Sequence, residues 1–306
     1  MRVATIDIGT NTCLLLIADV RVADVTPDGQ LEVVCTEGRY TRLGQGVDGS
    51  KNLHPDAIER VMTTLATYRQ QADAHGAEAI VIGATSASRD AANRQVLVDR
   101  ARDELGLDYR VISGEEEARL SFLGALSAFP NLDRATVFDI GGGSTELITG
   151  HRTDDGIVIE HRASLDVGAV RLTERCFASL PPAAHEIDAA RRLVTDALNG
   201  VPLDAHVPLL GSSGTTRALA KLVAPDDPWQ DVPAATVHVW SERLLTLTAD
   251  EVLALNPAIM SGRSDVFAAG ALILNAILDA GGFAAYRPSP RGLRYGLALD
   301  WASRQY

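Results

Sequence analysis

Two carboxylates, Asp139 and Glu146, flank the run Gly141-Gly142-Gly143-Ser144-Thr145. Three successive glycines leave backbone N–H groups unhindered and allow positive φ, so this turn can curl its amides round an anion while Ser144 and Thr145 add hydroxyls. The natural guest is phosphate. Carboxylates on opposite sides of one turn can approach a single hard cation, directly or through water, and magnesium (or manganese) is the expected ion. Such an ion would offset phosphate charge and polarise the group being transferred. A weaker copy opens the chain as Asp7-Ile8-Gly9-Thr10-Asn11-Thr12, where Asp7 is a further metal candidate, and a third glycine turn stands at Gly211-Ser212-Ser213-Gly214-Thr215. Glycines and aspartates also serve plain turns, but that account leaves Glu146, a charge set mid-strand in S-T-E-L-I, unexplained.

A second acidic feature is Ser113-Gly114-Glu115-Glu116-Glu117. Ser113 and Glu116 fit a capping box, and acidic residues suit a first helical turn. A third adjacent carboxylate adds repulsion, so one of the three is a candidate general base, its pKa raised by anionic neighbours and a bound phosphate. The residues themselves do not say which. The chain holds only two lysines, Lys51 and Lys221, so a polyanion site must be built from guanidinium groups, which suit bidentate phosphate contacts. Arg42, Arg89, Arg94, Arg171, Arg263, Arg291 and Arg294 lie in or beside turn segments. Arg89 is the strongest of them as a ligand, because it follows a Thr/Ser turn at a strand-to-helix junction.

Other chemistries fail on spacing. Gly211-Ser212-Ser213-Gly214-Thr215 lacks the last glycine of a nucleophile elbow, and no P-loop exists. Gly44-Gln45-Gly46-Val47-Asp48-Gly49 matches the dinucleotide fingerprint in letters but not in context, and reads as a loop. The seven histidines are scattered, and the three cysteines form no C-x-x-C pair, which leaves no zinc site or disulfide framework.

The elements that must position these groups follow from hydrophobic patterning. Val3–Ile8 and Cys13–Val20 form one hairpin, with a third strand Leu31–Tyr40 after a turn at Pro27-Asp28-Gly29. A helix spans Pro55–His75, a strand Ala79–Ile82, a helix Asp90–Leu105, a strand Tyr109–Ile112 and a helix from Glu115 to about Phe129. The second half repeats the opening with hairpin 135–149 and a strand from Ile157 to Ala163. It continues with a short strand Val207–Leu210, a helix from near Thr216, an apolar helix Arg263–Ala280, a strand Phe283–Tyr286 and a closing helix from Arg291 to Ala302. The duplication predicts two domains, 1–130 and 131–306, with the closing helix 291–303 free to pack back on the first. No Pro/Ser/Gly-rich linker separates them, which predicts tight packing with a cleft between. At 306 residues, 46% hydrophobic and 22% charged, the chain is globular. No apolar run approaches a membrane span or signal peptide, which predicts a cytoplasmic protein. A net charge of −12 argues against nucleic-acid or membrane partners.

Taken together, these motifs resemble the exopolyphosphatase and guanosine pentaphosphate phosphohydrolase family of the actin-like, sugar-kinase and Hsp70 superfamily. The resemblance runs from Met1 to about Asp300. It rests on Asp7 to Thr12, Ala84-Thr85-Ser86-Ala87 with Arg89, Ile112 to Ala118, Asp139 to Glu146, Gly168-Ala169-Val170-Arg171-Leu172, Gly211 to Thr215 and Arg291-Gly292-Leu293-Arg294. It implies an α/β fold of two ribonuclease H-like (actin-like ATPase) domains, each a β-β-β-α-β-α-β-α-like mixed sheet with helices. It also implies Glu117 as the base that activates water, metal binding by Asp139 and Glu146, and phosphate contact by Arg89 and the three glycine turns. Two departures stand out: Thr12 replaces a usual serine, and Tyr295 replaces a usual glutamate. The implied activity is magnesium-dependent release of orthophosphate from polyphosphate. Alternatives are a guanosine pentaphosphate 5′-phosphohydrolase of the stringent response and, in another class, an actin-like nucleotide switch or filament protein. The helical domain of longer relatives has no counterpart before Tyr306, which implies short or medium chains cut distributively. A homodimer is left open.

Overall fold

The computed structural model describes residues 1–21, 31–153 and 156–305. The turn expected at Pro27-Asp28-Gly29 lies outside them. The fold is mixed α/β and divides into two compact units. One comprises Met1–Leu132, Arg152–Val158 and Arg291–Tyr306, the other Asp133–His151 and Ile159–Pro290. The C-terminal segment from Arg291 thus groups with the first unit, the packing left open to the closing helix, and Arg152–Val158 groups with it as well.

The first unit contains β1 (Arg2–Ile8), β2 (Thr12–Val20), β3 (Leu31–Tyr40), α1 (Val47–Ser50), α2 (Pro55–Ala74), β4 (Ala79–Ala84), α3 (Ser86–Asp90), α4 (Arg94–Leu105) and α5 (Gly114–Leu126). Among the described residues its sheet has the order β3-β2-β1-β4, with the first three strands antiparallel in sequence and β4 parallel to β1. Residues of α2 at helical spacing, Ile58, Val61, Met62 and Leu65, bury against Ile6, Ile8 and Leu15 of the sheet. Two expectations differ in outcome. The strand at Tyr109–Ile112 is reduced to one bridge, Ala84 to Val111. The helix expected over Asp90–Leu105 is split, because Asn93 bonds the main chain of Leu53 instead of continuing a helix, with Oδ1 accepting at 2.7 Å and Nδ2 donating at 3.0 Å. The stretch Gly44–Gly49 is a loop running into the single turn of α1, with no dinucleotide fold around it.

The rest of the chain forms β5 (Arg134–Ile140), β6 (Thr145–Thr153), β7 (Gly156–Leu165), α6 (Ala169–Cys176), α7 (Ala184–Leu198), β8 (Leu209–Gly211), α8 (Gly214–Val223), β9 (Val232–Pro233), α9 (Ala234–Leu244), α10 (Ala249–Leu255), α11 (Pro257–Met260), α12 (Phe267–Gly281), β10 (Ala285–Pro288) and α13 (Leu293–Ser303). The second sheet runs β7-β6-β5-β8-β10-β9, with β8 parallel to β5 and to β10. The first two turns of α12 are apolar on all sides, and its residues from Phe267 to Leu274 are all buried in this unit's core. Among the described residues no helix is long and apolar enough to cross a membrane.

α13 belongs to the first unit for a steric reason. Leu293, Leu297, Ala298 and Ala302 are buried there, and glycines let its backbone meet that of α5. A Cβ on Gly296 would overlap the Leu120 carbonyl, and one on Gly124 would overlap the Gly292 carbonyl. Backbone cannot swing aside as a side chain can. Gly296→Ala is therefore expected to destabilise the chain by about 3 kcal/mol or more, read as a lowered midpoint in urea unfolding with unchanged slope. The C-terminal end of α5 is held by two arginines. Arg291 donates to the Ser127 carbonyl at 3.0 Å, and Arg152 donates to the carbonyls of Leu126 at 2.6 Å and Phe129 at 3.2 Å. Cations at this end and glutamates at the other both complement the helix dipole.

Candidate functional site

Both glycine hairpins close in the same way. The Gly9 amide donates to the Thr12 carbonyl at 2.8 Å and the Gly141 amide to the Ser144 carbonyl at 2.9 Å. In register, Asp7 lies opposite Leu14, whereas Asp139 lies opposite Glu146. Directly paired residues of antiparallel strands share a face of the sheet, so the second hairpin sets two carboxylates side by side. The first hairpin offers Asp7 alone.

Gly9 and Gly141 serve close approach rather than positive φ. None of Gly9, Gly141, Gly142 and Gly143 is among the left-handed glycines of the described residues. A Cβ on Gly141 would stand 3.0 Å from the Ser144 carbonyl oxygen that its own amide bonds. The turn carbonyls are held from behind. Amides of Arg42 and Gly44 donate to the carbonyls of Asn11 and Thr10 at 3.0 and 2.9 Å. In the second hairpin Ala169 donates to Gly141 at 2.9 Å, and Val170 and Arg171 donate to Gly142 at 2.8 and 3.0 Å. Gly168 makes this possible, since a Cβ there would lie 2.6 Å from Gly142 backbone atoms. The Gly168-Ala169-Val170-Arg171 motif is thus the backing of the glycine turn, and Gly44 plays the same part against Thr10. With their carbonyls tied back, the turns keep a fixed backbone for the amides that would face an anion.

Several hydroxyls expected on phosphate are engaged by protein. Thr145 donates to the Val167 carbonyl at 2.6 Å. Ser212 donates to Asp139 Oδ2 at 2.9 Å. Ser213 is the N-cap of α8, accepting from the Thr216 amide at 3.1 Å. Gly211 is glycine because a Cβ would stand 2.7 Å from the Thr216 methyl and 2.9 Å from the Phe138 ring. Two guanidinium groups frame this third turn: Arg217 donates to the Ser212 carbonyl and Arg263 to the Gly214 carbonyl, each at 2.6 Å. Residue type and local spacing do not mark Arg217, whereas its position in the internal repeat does.

The three glutamates of α5 have different surroundings. Glu115 is exposed. Glu116 pairs with Arg110 at 2.9 Å, so the reciprocal arm of the expected capping box is absent while Ser113 still accepts from the Glu116 amide at 3.1 Å. Glu117 is 9% exposed and takes a 2.6 Å ion pair from Arg89. Arg89 Nη1 also donates to the Ile112 carbonyl at 3.2 Å. The anionic surroundings expected for the base thus include a guanidinium in contact with Glu117.

Of the other arginines, Arg94 donates to the Arg89 carbonyl at 3.0 Å, and Arg171 is buried against Asp166. Arg294 donates to the Leu15 carbonyl and to Thr36, and burial lowers its pKa, with Asp7 opposing. Arg42 holds a left-handed φ of 48° beside the first turn. Tyr295 lies with its ring 5.5 Å from the Arg291 guanidinium and packs on the α13 cluster, which gives the residue a packing role.

The donor set suits a hard cation. Burial pushes the Asp139 carboxylate pKa up, with Ser212 and then Arg217 pulling it back. Glu146 is 1% exposed and accepts from Ser164 at 3.0 Å. Two desolvated carboxylates side by side call for positive charge. Among the described residues no group of three or more His, Cys, Asp or Glu could hold a metal, and magnesium commonly uses one or two carboxylates with water and substrate phosphate.

A family model described as the Ppx/GppA phosphatase family matches residues 21–305. The chain is 40% identical over 290 residues to Exopolyphosphatase 2 of Mycobacterium tuberculosis, covering 89% of this chain and 88% of that protein. Over the full length of both chains it superposes on the crystal structure of an exopolyphosphatase-like protein with a TM-score of 0.89 at 30% identity. It also superposes on the Aquifex aeolicus member of the Ppx/GppA family with a TM-score of 0.78 at 28% identity, covering 100% of this chain and 98% of that one.

Proposed function

The chain belongs to the Ppx/GppA phosphatase family, and from that premise we propose that it releases orthophosphate from the ends of inorganic polyphosphate by hydrolysing the terminal phosphoanhydride. The observation that carries this reading is the pairing of Asp139 with Glu146 across a glycine turn whose carbonyls are tied back. Asp139 and Glu146 would hold magnesium, which would supply neutralising charge and polarise a phosphoryl oxygen. The turn amides, and Arg89 beside them in role, hold the terminal phosphoryl group. A guanidinium has five N–H donors, so Arg89 can orient Glu117 and still bind phosphate oxygen. Water oxygen bonds to the terminal phosphorus, the anhydride P–O bond breaks, and the water proton passes to Glu117. Positioning and charge stabilisation supply most of the rate. The reading carries a cytoplasmic setting, with which the free thiols of Cys13, Cys35 and Cys176 agree.

The deciding assay is phosphate release from polyphosphate, guanosine pentaphosphate and ATP, measured side by side. Polyphosphate is expected to be the fastest. Faster release from guanosine pentaphosphate would move the assignment to the second activity of the same family. With a net charge of −12, the body of the protein repels the distal part of a polyanion. Gels of partly digested long polyphosphate are therefore expected to show a gradually shortening population. Full-length chains persisting beside free orthophosphate would rule that out.

A further inference from the structure

Arg217 and Arg89 occupy the same place in the two halves of the molecule. Each sits four residues after the N-cap of the helix that follows the strand parallel to the hairpin: Thr85 and then Arg89 on α3, Ser213 and then Arg217 on α8. In each case the arginine amide closes the first helical turn on the N-cap carbonyl, at 3.0 Å for Arg89 and 3.3 Å for Arg217. Arg89 then reaches a carboxylate directly, that of Glu117. Arg217 reaches one through a residue. Its Nη1 donates to the Ser212 carbonyl at 2.6 Å, the Ser212 amide donates to the Phe138 carbonyl at 2.9 Å, and the Ser212 hydroxyl donates to Asp139 Oδ2 at 2.9 Å. Ser212 is therefore held at three points, and one of them is a carboxylate oxygen on the residue after Phe138.

We infer that Arg217 is a positioning residue for Asp139: by fixing the Ser212 carbonyl it aims the Ser212 hydroxyl, which fixes the rotamer in which Asp139 presents its other oxygen to a divalent cation. The inference rests on the cation-binding role given to Asp139 above. The arrangement has the logic of outer hydrogen bonds that orient a metal ligand. It also makes a prediction of sign. A guanidinium near a cation site repels the cation, so removing an arginine that acted by charge alone would tighten binding, whereas removing one that orients the ligand weakens it.

The test is Mn2+ binding to the whole protein, followed by the electron paramagnetic resonance signal of the free ion, with circular dichroism confirming the fold of each variant. Arg217→Met keeps the apolar stem and removes the donors, and is expected to weaken Mn2+ about three- to tenfold. Ser212→Ala is expected to weaken it about tenfold. The double variant is expected to bind no more weakly than Ser212→Ala alone, because the two residues act in series. Where Arg217→Met does not fold, Arg217→Gln, which keeps an N–H donor without the charge, is expected to bind within about twofold of the native chain. Tighter Mn2+ binding by Arg217→Met, additive losses in the double variant, or a Gln variant as weak as Ser212→Ala would each overturn the inference. Native-like Mn2+ binding by Asp139→Asn would instead remove the metal role itself, so the two failures are distinguishable.

Discussion

Glu117→Gln is expected to fold as the native chain does and to lose about two to four orders of magnitude in turnover, the scale of a removed general base. The geometry makes this a sharper expectation than the run of three glutamates alone. Glu115 is exposed and Glu116 spends its carboxylate on Arg110, while Glu117 is 9% exposed and aimed by Arg89. The glutamine is nearly isosteric and still accepts a hydrogen bond from Arg89, so the loss should appear in kcat with little change in KM. Glu116→Gln is expected to cost little activity. An inactive Glu116→Gln beside a near-normal Glu117→Gln would show the assignment of the base to be wrong.

The second large effect belongs to the paired carboxylates. Asp139→Asn and Glu146→Gln are each expected to lower activity by about ten- to a hundredfold and to raise the magnesium concentration required, since each removes an anionic oxygen from a hard-cation site. Asp139→Asn carries a further sign. Burial raises the folded-state pKa of Asp139, so its ionisation costs stability as pH rises from the unfolded value near 3.8 through the raised folded value. At pH 7 without divalent cation, Asp139→Asn should therefore melt above the native chain, and added magnesium should stabilise the native chain more than the variant. Unchanged magnesium dependence in both variants would refute the metal role. A lower melting temperature for Asp139→Asn without cation would show that Ser212 and Arg217 compensate the buried charge in full.

How much of this was legible from residue order depends on the range of the interactions involved. The hairpins were legible because their information is local: alternating apolar runs end at a glycine-rich turn of fixed length, and the register that sets Asp139 opposite Glu146 follows from that turn. The helix Pro55–Ala74 was legible for the same reason, through its buried face and its proline at the first helical position. The reason for the glycines was not. Gly44, Gly168 and Gly296 each meet a segment distant in sequence, and their need for a missing Cβ exists only once that segment arrives. The strand at Tyr109–Ile112 shows the opposite error: the local pattern suits a strand, but the main chain bonds its neighbour through one bridge only.

The same distinction holds for the site. Sequence by itself determined the inventory: a duplicated Asp-Ile-Gly turn, a third glycine turn, a triple glutamate, and arginine in place of lysine everywhere but Lys51 and Lys221. Tertiary structure decided the allocation of that inventory, because hydrogen bonds and ion pairs form between groups that only folding brings together. It gave Glu117 to Arg89 and Glu116 to Arg110. It set the Ser212 hydroxyl on Asp139 and the Thr145 hydroxyl on the Val167 carbonyl. It placed the C-terminal helix on the first unit. A residue's type sets which bonds it can make, but which one it makes depends on partners up to 289 residues away, as between Thr5 and Arg294, and those distances are set by packing rather than by order along the chain.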